Sequence, residues 1–546
     1  TYGDLNPTLT ATVVGQVVGG DAINYTLATT ATQFSNVVLG GYPITVMLGS
    51  NPNYSVTKTD GTLTINAAVA TVTANNKSKT YGDDNPPLTA TVVGQVVGGD
   101  AINYSLATTA VKYSDVGGYP ITVTLGLNPN YSVTKTDGTL TVTPAPTTTT
   151  VNTPVPSVVQ YSDMVTLSAT VSASVGTTLG GTVEFEIGGV TYGTPALPGG
   201  GSASQTVSIT VAVTEAPGLY AVTAFFTPSN GNYTGSNGVY NSLKVQPENA
   251  TPISDGGAYT GQVSAWTPTA TSNTATLTLA ATIKDISVDG DGDPWPGDIT
   301  KAKVTFALRN LIGGLTPITG ATNLPVGLVN AAVKGIGTAA ATVQFSLNSS
   351  EICGNYTVVV MVSGNYNMPT PTWQDMQLSI CRATPGSIVS NPPAQVNEIG
   401  SAGFIAGGST VQFDVKYNKS GTNPQGKVKV TVTSNLNALT GLPDGKTHTY
   451  VITSNAISSL SVKAPNANFA AKANVIELVT NPDGSVTAVS LDSGAIIQLA
   501  LTDATTDMVG VTVNKSKGGL WFSSKWDGTK TVEKAILNNG AIRITQ

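Results

Sequence analysis

The sequence predicts an all-β chain built from several modules in tandem. Three observations carry this. Short runs rich in Val, Ile, Thr and Tyr alternate apolar with polar residues, and Gly, Pro, Asn and Asp punctuate them at regular spacing. No stretch sustains the periodicity of an amphipathic helix. A whole unit of sequence also returns nearly unchanged within the first 145 residues.

Composition narrows the function classes. Of 546 residues only 10% are charged, against roughly 25% in an average soluble chain. Glycine (59) and proline (31) are plentiful, and 40% of the residues are hydrophobic, enough to build cores rather than a disordered chain. The length suits roughly three to five domains of ~100–200 residues. A net charge of −6 with no Lys/Arg stripe leaves no electrostatic footprint for nucleic acid. No apolar run reaches the ~18 residues of a membrane-spanning helix. His448 is the single histidine, so His–Cys metal clusters and histidine-based triads are nearly excluded. No enzyme and no organic cofactor are expected. Thr1-Tyr2-Gly3-Asp4 shows neither an initiator Met nor a signal peptide, which reads as a processed or truncated chain.

The repeat comes first along the chain. Leu9–Tyr25 recurs unchanged as Leu88–Tyr104, and Asn51–Thr64 as Asn128–Thr141. TYGDLNP at Thr1 returns as TYGDDNP at Thr80, and the second copy is two residues shorter in the stretch matching Ser35–Tyr42. In copy one Leu9–Val14, Ala22–Leu27, Ile44–Leu48, Tyr54–Lys58 and Thr62–Ile65 read as strands. Thr59-Asp60-Gly61 between the last two reads as a hairpin turn. Duplication this recent extends reach or valency rather than adding chemistry.

Tyr2-Gly3-Asp4 with Asn6-Pro7, Gly41-Tyr42-Pro43 and Asn53-Tyr54, all repeated in copy two, resemble the YGX-type MBG repeat of large bacterial surface proteins. The resemblance implies β-grasp-like, non-catalytic modules, some relatives of which are implicated in adhesion. Ala70–Ala74 supplies an alternating strand ahead of copy two, and copy one has no counterpart. Three readings stand: truncation from a longer array, tolerance of the loss, or donation of the strand by another subunit. Ala541, Ile542, Arg543, Ile544 and Thr545 alternate and are a candidate donor. Donation would link chains head to tail into filaments.

Thr147–Pro156 reads as a stiff Pro/Thr linker. Met164–Val171, Thr182–Ile187, Gln205–Val213 and Gly218–Phe226 follow with evenly spaced turns, which suggests an Ig-like sandwich. Thr182–Gly189 and Tyr220–Ser236 resemble the bacterial Ig-like repeat. Further strands fill Ala258–Cys381 and Gly400–Gln546; Asp414–Gly426 and Val513–Thr531 resemble the C-terminal β-domain of many large secreted bacterial proteins.

The sharpest local chemistry is Asp285, Asp289, Asp291, Asp293 and Asp298 around intervening glycines. Closely spaced carboxylates can converge on Ca²⁺, which takes six to eight oxygens; the other reading is a solvated acidic turn. Cys353 and Cys381 read as a disulfide closing a hairpin, or as two buried thiols. Trp521 and Trp526 could form a glycan platform, or pack in a core.

The fold expected is thus all-β, with tandem β-grasp-like and Ig-like β-sandwich modules in an elongated chain. Its boundaries are 1–68 (first strand missing), 69–145, 146–247, 248–390 and 391–546. The function expected is a structural or adhesive component of a bacterial extracellular surface fibre, with itself, neighbouring surface proteins or glycans as partners. The alternative is the non-catalytic glycan-binding region of a secreted carbohydrate-active protein.

Overall fold

A computed structural model describes residues 1–546 except 176–178, 200–201, 252–258, 269–270, 290–292, 369–373, 383–385 and 422. The described residues contain no α-helix; two 3-10 turns, Ile286–Asp289 and Ile299–Lys301, are their only helical segments. The all-β prediction holds. Contacts divide the chain into two compact units. One comprises Thr1–Asn152, Ser168–Ile209 and Val222–Tyr240; the other comprises Thr153–Leu167, Thr210–Ala221 and Asn241–Gln546.

In the first unit, copy one keeps a single sheet of β1 (Tyr25–Thr29), β2 (Tyr42–Leu48) and β3 (Gly61–Leu63). Copy two has two sheets. One runs β5 (Lys77–Thr80), β10 (Gly138–Thr143), β8 (Gly117–Leu125), β7 (Tyr104–Thr108). The other places β4 (Ala68–Ala74) between β6 (Ala90–Val93) and β9 (Tyr131–Thr136). Small apolar residues alternate with Val and Thr along β4, so Ala68, Ala70, Val72 and Ala74 face the core while Val69, Thr71 and Thr73 face out. β4 runs antiparallel to β6 and parallel to β9.

Two expectations change here. Thr59-Asp60-Gly61 closes no hairpin, since Tyr54–Lys58 is not a strand, and its copy Thr136-Asp137-Gly138 joins β9 and β10 of different sheets. Asp137 instead accepts a hydrogen bond from the Val123 amide at 2.7 Å. Gly138 lies so close to the β4 backbone that a Cβ there would sit 2.7 Å from the Ala74 carbonyl oxygen. The Thr147–Pro156 linker also begins as a strand. Thr147–Val151 pairs with Ala169–Ala173 and buries Thr149 and Val151, because β-branched threonines fit a half-buried pleat as well as an extended linker. In the same unit, Gly181–Ile187 pairs with Val222–Pro228, and alternate residues from Val183 to Phe226 fill the sandwich core.

The second unit carries a two-sheet domain. One sheet orders Gly327–Asn330, Val333–Ser346, Thr274–Asp285, Glu248–Thr251 and Tyr366–Asn367. The other orders Ser264–Trp266, Gln374–Cys381, Cys353–Gly364, Ala302–Arg309 and Leu315–Pro317. A last sheet of eleven strands starts at Ser387–Ser390 and includes Leu442–Lys463 and Val486–Thr502. Phe413, Tyr450, Phe469 and Phe522 are fully buried in its core.

Candidate functional site

The first candidate is a groove of about 550 Å³ in copy one. Its rims are Thr10–Gly15 and Tyr54–Thr59, and its floor includes Ile23, Leu27, Ile44 and Val46. These rims correspond in sequence to β6 and β9, the two neighbours of β4 in copy two, yet neither rim is a strand. The floor shows the same contrast. Ile121, Val123 and Leu140 are fully buried beneath β4, whereas their counterparts Ile44, Val46 and Leu63 are only half-buried. The groove therefore lies where copy two holds β4.

The second feature is a joint used three times. Tyr2, Tyr81 and Tyr161 each pack edge-on against a tyrosine of an Asn-Tyr pair, at 5.4 Å to Tyr131, 5.5 Å to Tyr233 and 5.8 Å to Tyr366. The backbone follows one pattern. The amides of Tyr2, Tyr81 and Tyr161 donate to Asn66, Thr143 and Gln246. Two residues beyond each of these acceptors, the amides of Ala68, Ala145 and Glu248 donate to Asn130, Asn232 and Asn365. Asn130 and Asn232 also use their side chains alike: each accepts from a valine amide (Val37, Val116) and donates to a side-chain oxygen (Asn36, Asp115). Sequence reasoning noted Asn53-Tyr54 with its copy, and Asn232-Tyr233, singly, and did not note Asn365-Tyr366. The signal it missed is their pairing with Tyr-x-Asp at residues 2–4, 81–83 and 161–163.

The third joint differs in chemistry. Asp163, Glu248 and Asp293 each place a carboxylate oxygen within 4.8 Å of the others. Glu248 is 1% exposed; its Oε1 accepts from the Asn249 amide at 2.7 Å, while Oε2 is buried without a hydrogen-bond partner. Burial, reinforced by Asp293, Asp285 and Asp163, pushes the Glu248 carboxyl up to about 8, although the Asn249 amide opposes it. Burial and then Asp293 raise Asp163 as well.

Asp285 and Asp298 of the acidic loop have other partners. Asp285 is fully buried and satisfied: Oδ1 accepts from Ser287, and Oδ2 from the Gly297 amide at 2.9 Å and the Tyr366 hydroxyl at 2.7 Å. Asp298 caps the 3-10 turn at Thr300. Asp291 and the Asp289 side chain lie outside the described residues. Among the described residues of the expected set, Asp293 joins the cluster and Asp285 and Asp298 do not.

Cys353 and Cys381 face each other across paired strands and form a disulfide. Trp521 is no open platform: it is 7% exposed, donates to Asp492 at 2.9 Å, and lies beside the Lys515 ammonium. Trp526 is half-buried in a bridge to Thr531. Ala541–Thr545 is not a free donor either. Ile542–Thr545 pairs with Ser387–Ser390, and Ala541, Ile542 and Ile544 are buried in that domain's own core. Its alternation reflects a strand already in place.

His448 sits between Glu477 (Nδ1, 2.6 Å) and Asp444 (Nε2, 3.0 Å) and stacks on Tyr450. Both ring nitrogens are held by carboxylates, so neither is left to take a proton from a nucleophile.

Residues 1–64 and 70–141 match the family described as MBG domain (YGX type). The match spans a quarter of the chain. No curated protein matches. Among solved structures, a tetra-tandem repeat from the extending region of a large adhesion protein aligns at 13% identity over 72% of this chain and 99% of its own, with a TM-score of 0.24. An ICAM-5 D1–D4 ectodomain fragment aligns at 10% identity over 70% and 97%, with a TM-score of 0.25. A Ca²⁺-stabilised ice-binding adhesin of an Antarctic bacterium aligns at 15% identity over 68% and 98%, with a TM-score of 0.14. Superpositions this loose carry no argument about this chain.

Proposed function

We propose that the chain is a structural and adhesive component of a bacterial extracellular surface fibre, and that its first module accepts a β-strand from another module of its own kind. The groove beside β1–β3 carries this reading, because copy two shows the same bed filled by β4. The occupant has β4's pattern: small apolar residues on one face, threonines on the other. An incoming strand would gain ladder hydrogen bonds on both edges and cover the half-buried floor. The MBG match over both copies supports the surface role, and the Cys353–Cys381 disulfide suits an oxidising compartment outside the cytoplasm. The repeated tyrosine joint suits modules linked in series. The glycan-binding alternative loses its platform with the burial of Trp521.

The test is calorimetric titration of the full chain with a synthetic peptide of sequence Asn66–Asn76. Saturable one-to-one binding is expected, abolished when the peptide carries Val72→Asp. No binding, or equal binding of both peptides, would overturn strand acceptance.

A further inference from the structure

The three joints share one backbone framework but not one chemistry. At the position where the first two joints carry Ala68 and Ala145, the third carries Glu248, donating its amide to Asn365 as the alanines donate to Asn130 and Asn232. The Tyr-x-Asp turn changes too. Gly3 and Gly82 occupy the left-handed region at φ +95° and +86°, and Ser162 takes that place at φ +74°. Its amide still donates to a carbonyl across the module, Val213, as Gly3 donates to Gln33 and Gly82 to Lys112. Its hydroxyl also reaches the Trp295 carbonyl at 3.2 Å, and the Trp295 amide donates to Asp293 Oδ1 at 2.8 Å. The turn that presents Asp163 is therefore bonded to the loop that presents Asp293.

We infer that Asp163, Glu248 and Asp293 form a binding site for a hard divalent cation of the Ca²⁺ class, which ties the third module to the fourth. Three observations meet here. Three carboxylate oxygens lie within 4.8 Å of one another. Oxygens on opposite sides of a Ca²⁺ ion stand about 5 Å apart, at 2.3–2.6 Å per ligand bond. Glu248, at 1% exposure, keeps Oε2 without a hydrogen-bond partner, whereas buried carboxylates are ordinarily paired or metal-bound. None of the ion pairs among the described residues involves Asp163, Glu248 or Asp293, so no side-chain cation does this work. All-oxygen donors of this charge select Ca²⁺-like ions over softer metals.

The site is independent of strand acceptance in the first module, and so is its test. The full chain, stripped with chelator, is melted with and without millimolar Ca²⁺ and titrated with Ca²⁺ by calorimetry. Ca²⁺ should raise the unfolding temperature by several degrees and bind with one-site stoichiometry. Glu248→Ala installs the residue that the other two joints already use. It should fold, melt no lower than the chelated parent, and lose the Ca²⁺ response. Asp293→Asn should lose most of it. An unshifted melt with no binding heat would overturn the site. So would a response kept in Glu248→Ala but lost in Asp291→Asn, which would place the ion on the Asp loop alone.

Discussion

At the scale of single residues, His448 and its two carboxylates form one titrating cluster. Burial pulls the His448 imidazolium down, but Asp444 and Glu477 outweigh it and the net shift is upward from 6.5. The hydrogen bonds from His448 and Asn437 hold Asp444 down at about 2. The two shifts act at opposite ends of the pH scale. A raised histidine adds stability below its ordinary value and loses it as pH rises through the folded value. A lowered aspartate adds stability above its ordinary value near 3.8 and loses it as pH falls toward 2. This cluster's contribution is therefore fullest between about pH 4 and 6.5. Thermal melts should show a fall above pH 6.5 that is absent in His448→Gln; equal falls in both proteins would remove the cluster as the cause. That His448 is single was legible in the sequence. That both its nitrogens are occupied was not, because Glu477 comes from the neighbouring strand 29 residues away. Trp521 teaches the same lesson: its burial depends on Asp492 and Lys515, which only the folded sheet brings to it.

At the scale of elements, strand identity was largely written in the alternation, and the strands of the sandwich and of both later domains fall where the apolar period places them. What alternation does not encode is partnership. The Asp-Gly pair has hairpin chemistry, yet it links strands of two sheets because β9 pairs with β4, and β10 with β8 and β5. Ala541–Thr545 looked available because a strand's own pattern does not reveal whether an edge awaits it at home. The cysteine pair is the converse case, since their register opposition makes the link local to two adjacent strands. At a sequence separation of 28, loop-closure entropy assigns the bond roughly 3–4 kcal/mol. Replacing both cysteines by alanine should lower this domain's unfolding free energy by that amount and shift its denaturant midpoint down accordingly, and an unchanged midpoint would show that the reduced hairpin is already held by its ladder.

At the scale of the whole molecule, the repeated unit was legible in the sequence. The joints were not, because each needs two motifs far apart in sequence: Tyr2 with Tyr131, Tyr81 with Tyr233, Tyr161 with Tyr366. Once paired, they describe a single coupling rule. Its first half, Asn53-Tyr54, faces the groove end of copy one, where Tyr54 is half-buried while Tyr131 in the completed joint is 6% exposed. Tyr54 also lines the groove, so the proposed strand acceptance is tested on the backbone of that place. Amide hydrogen exchange on the full chain, with and without the Asn66–Asn76 peptide, compares the rims Thr10–Gly15 and Tyr54–Thr59 with their copies Ala90–Val93 and Tyr131–Thr136. Fast-exchanging rims that become as protected as their copies when the peptide is added are the predicted result. Rims already protected in the free chain, or unchanged by the peptide, would contradict it.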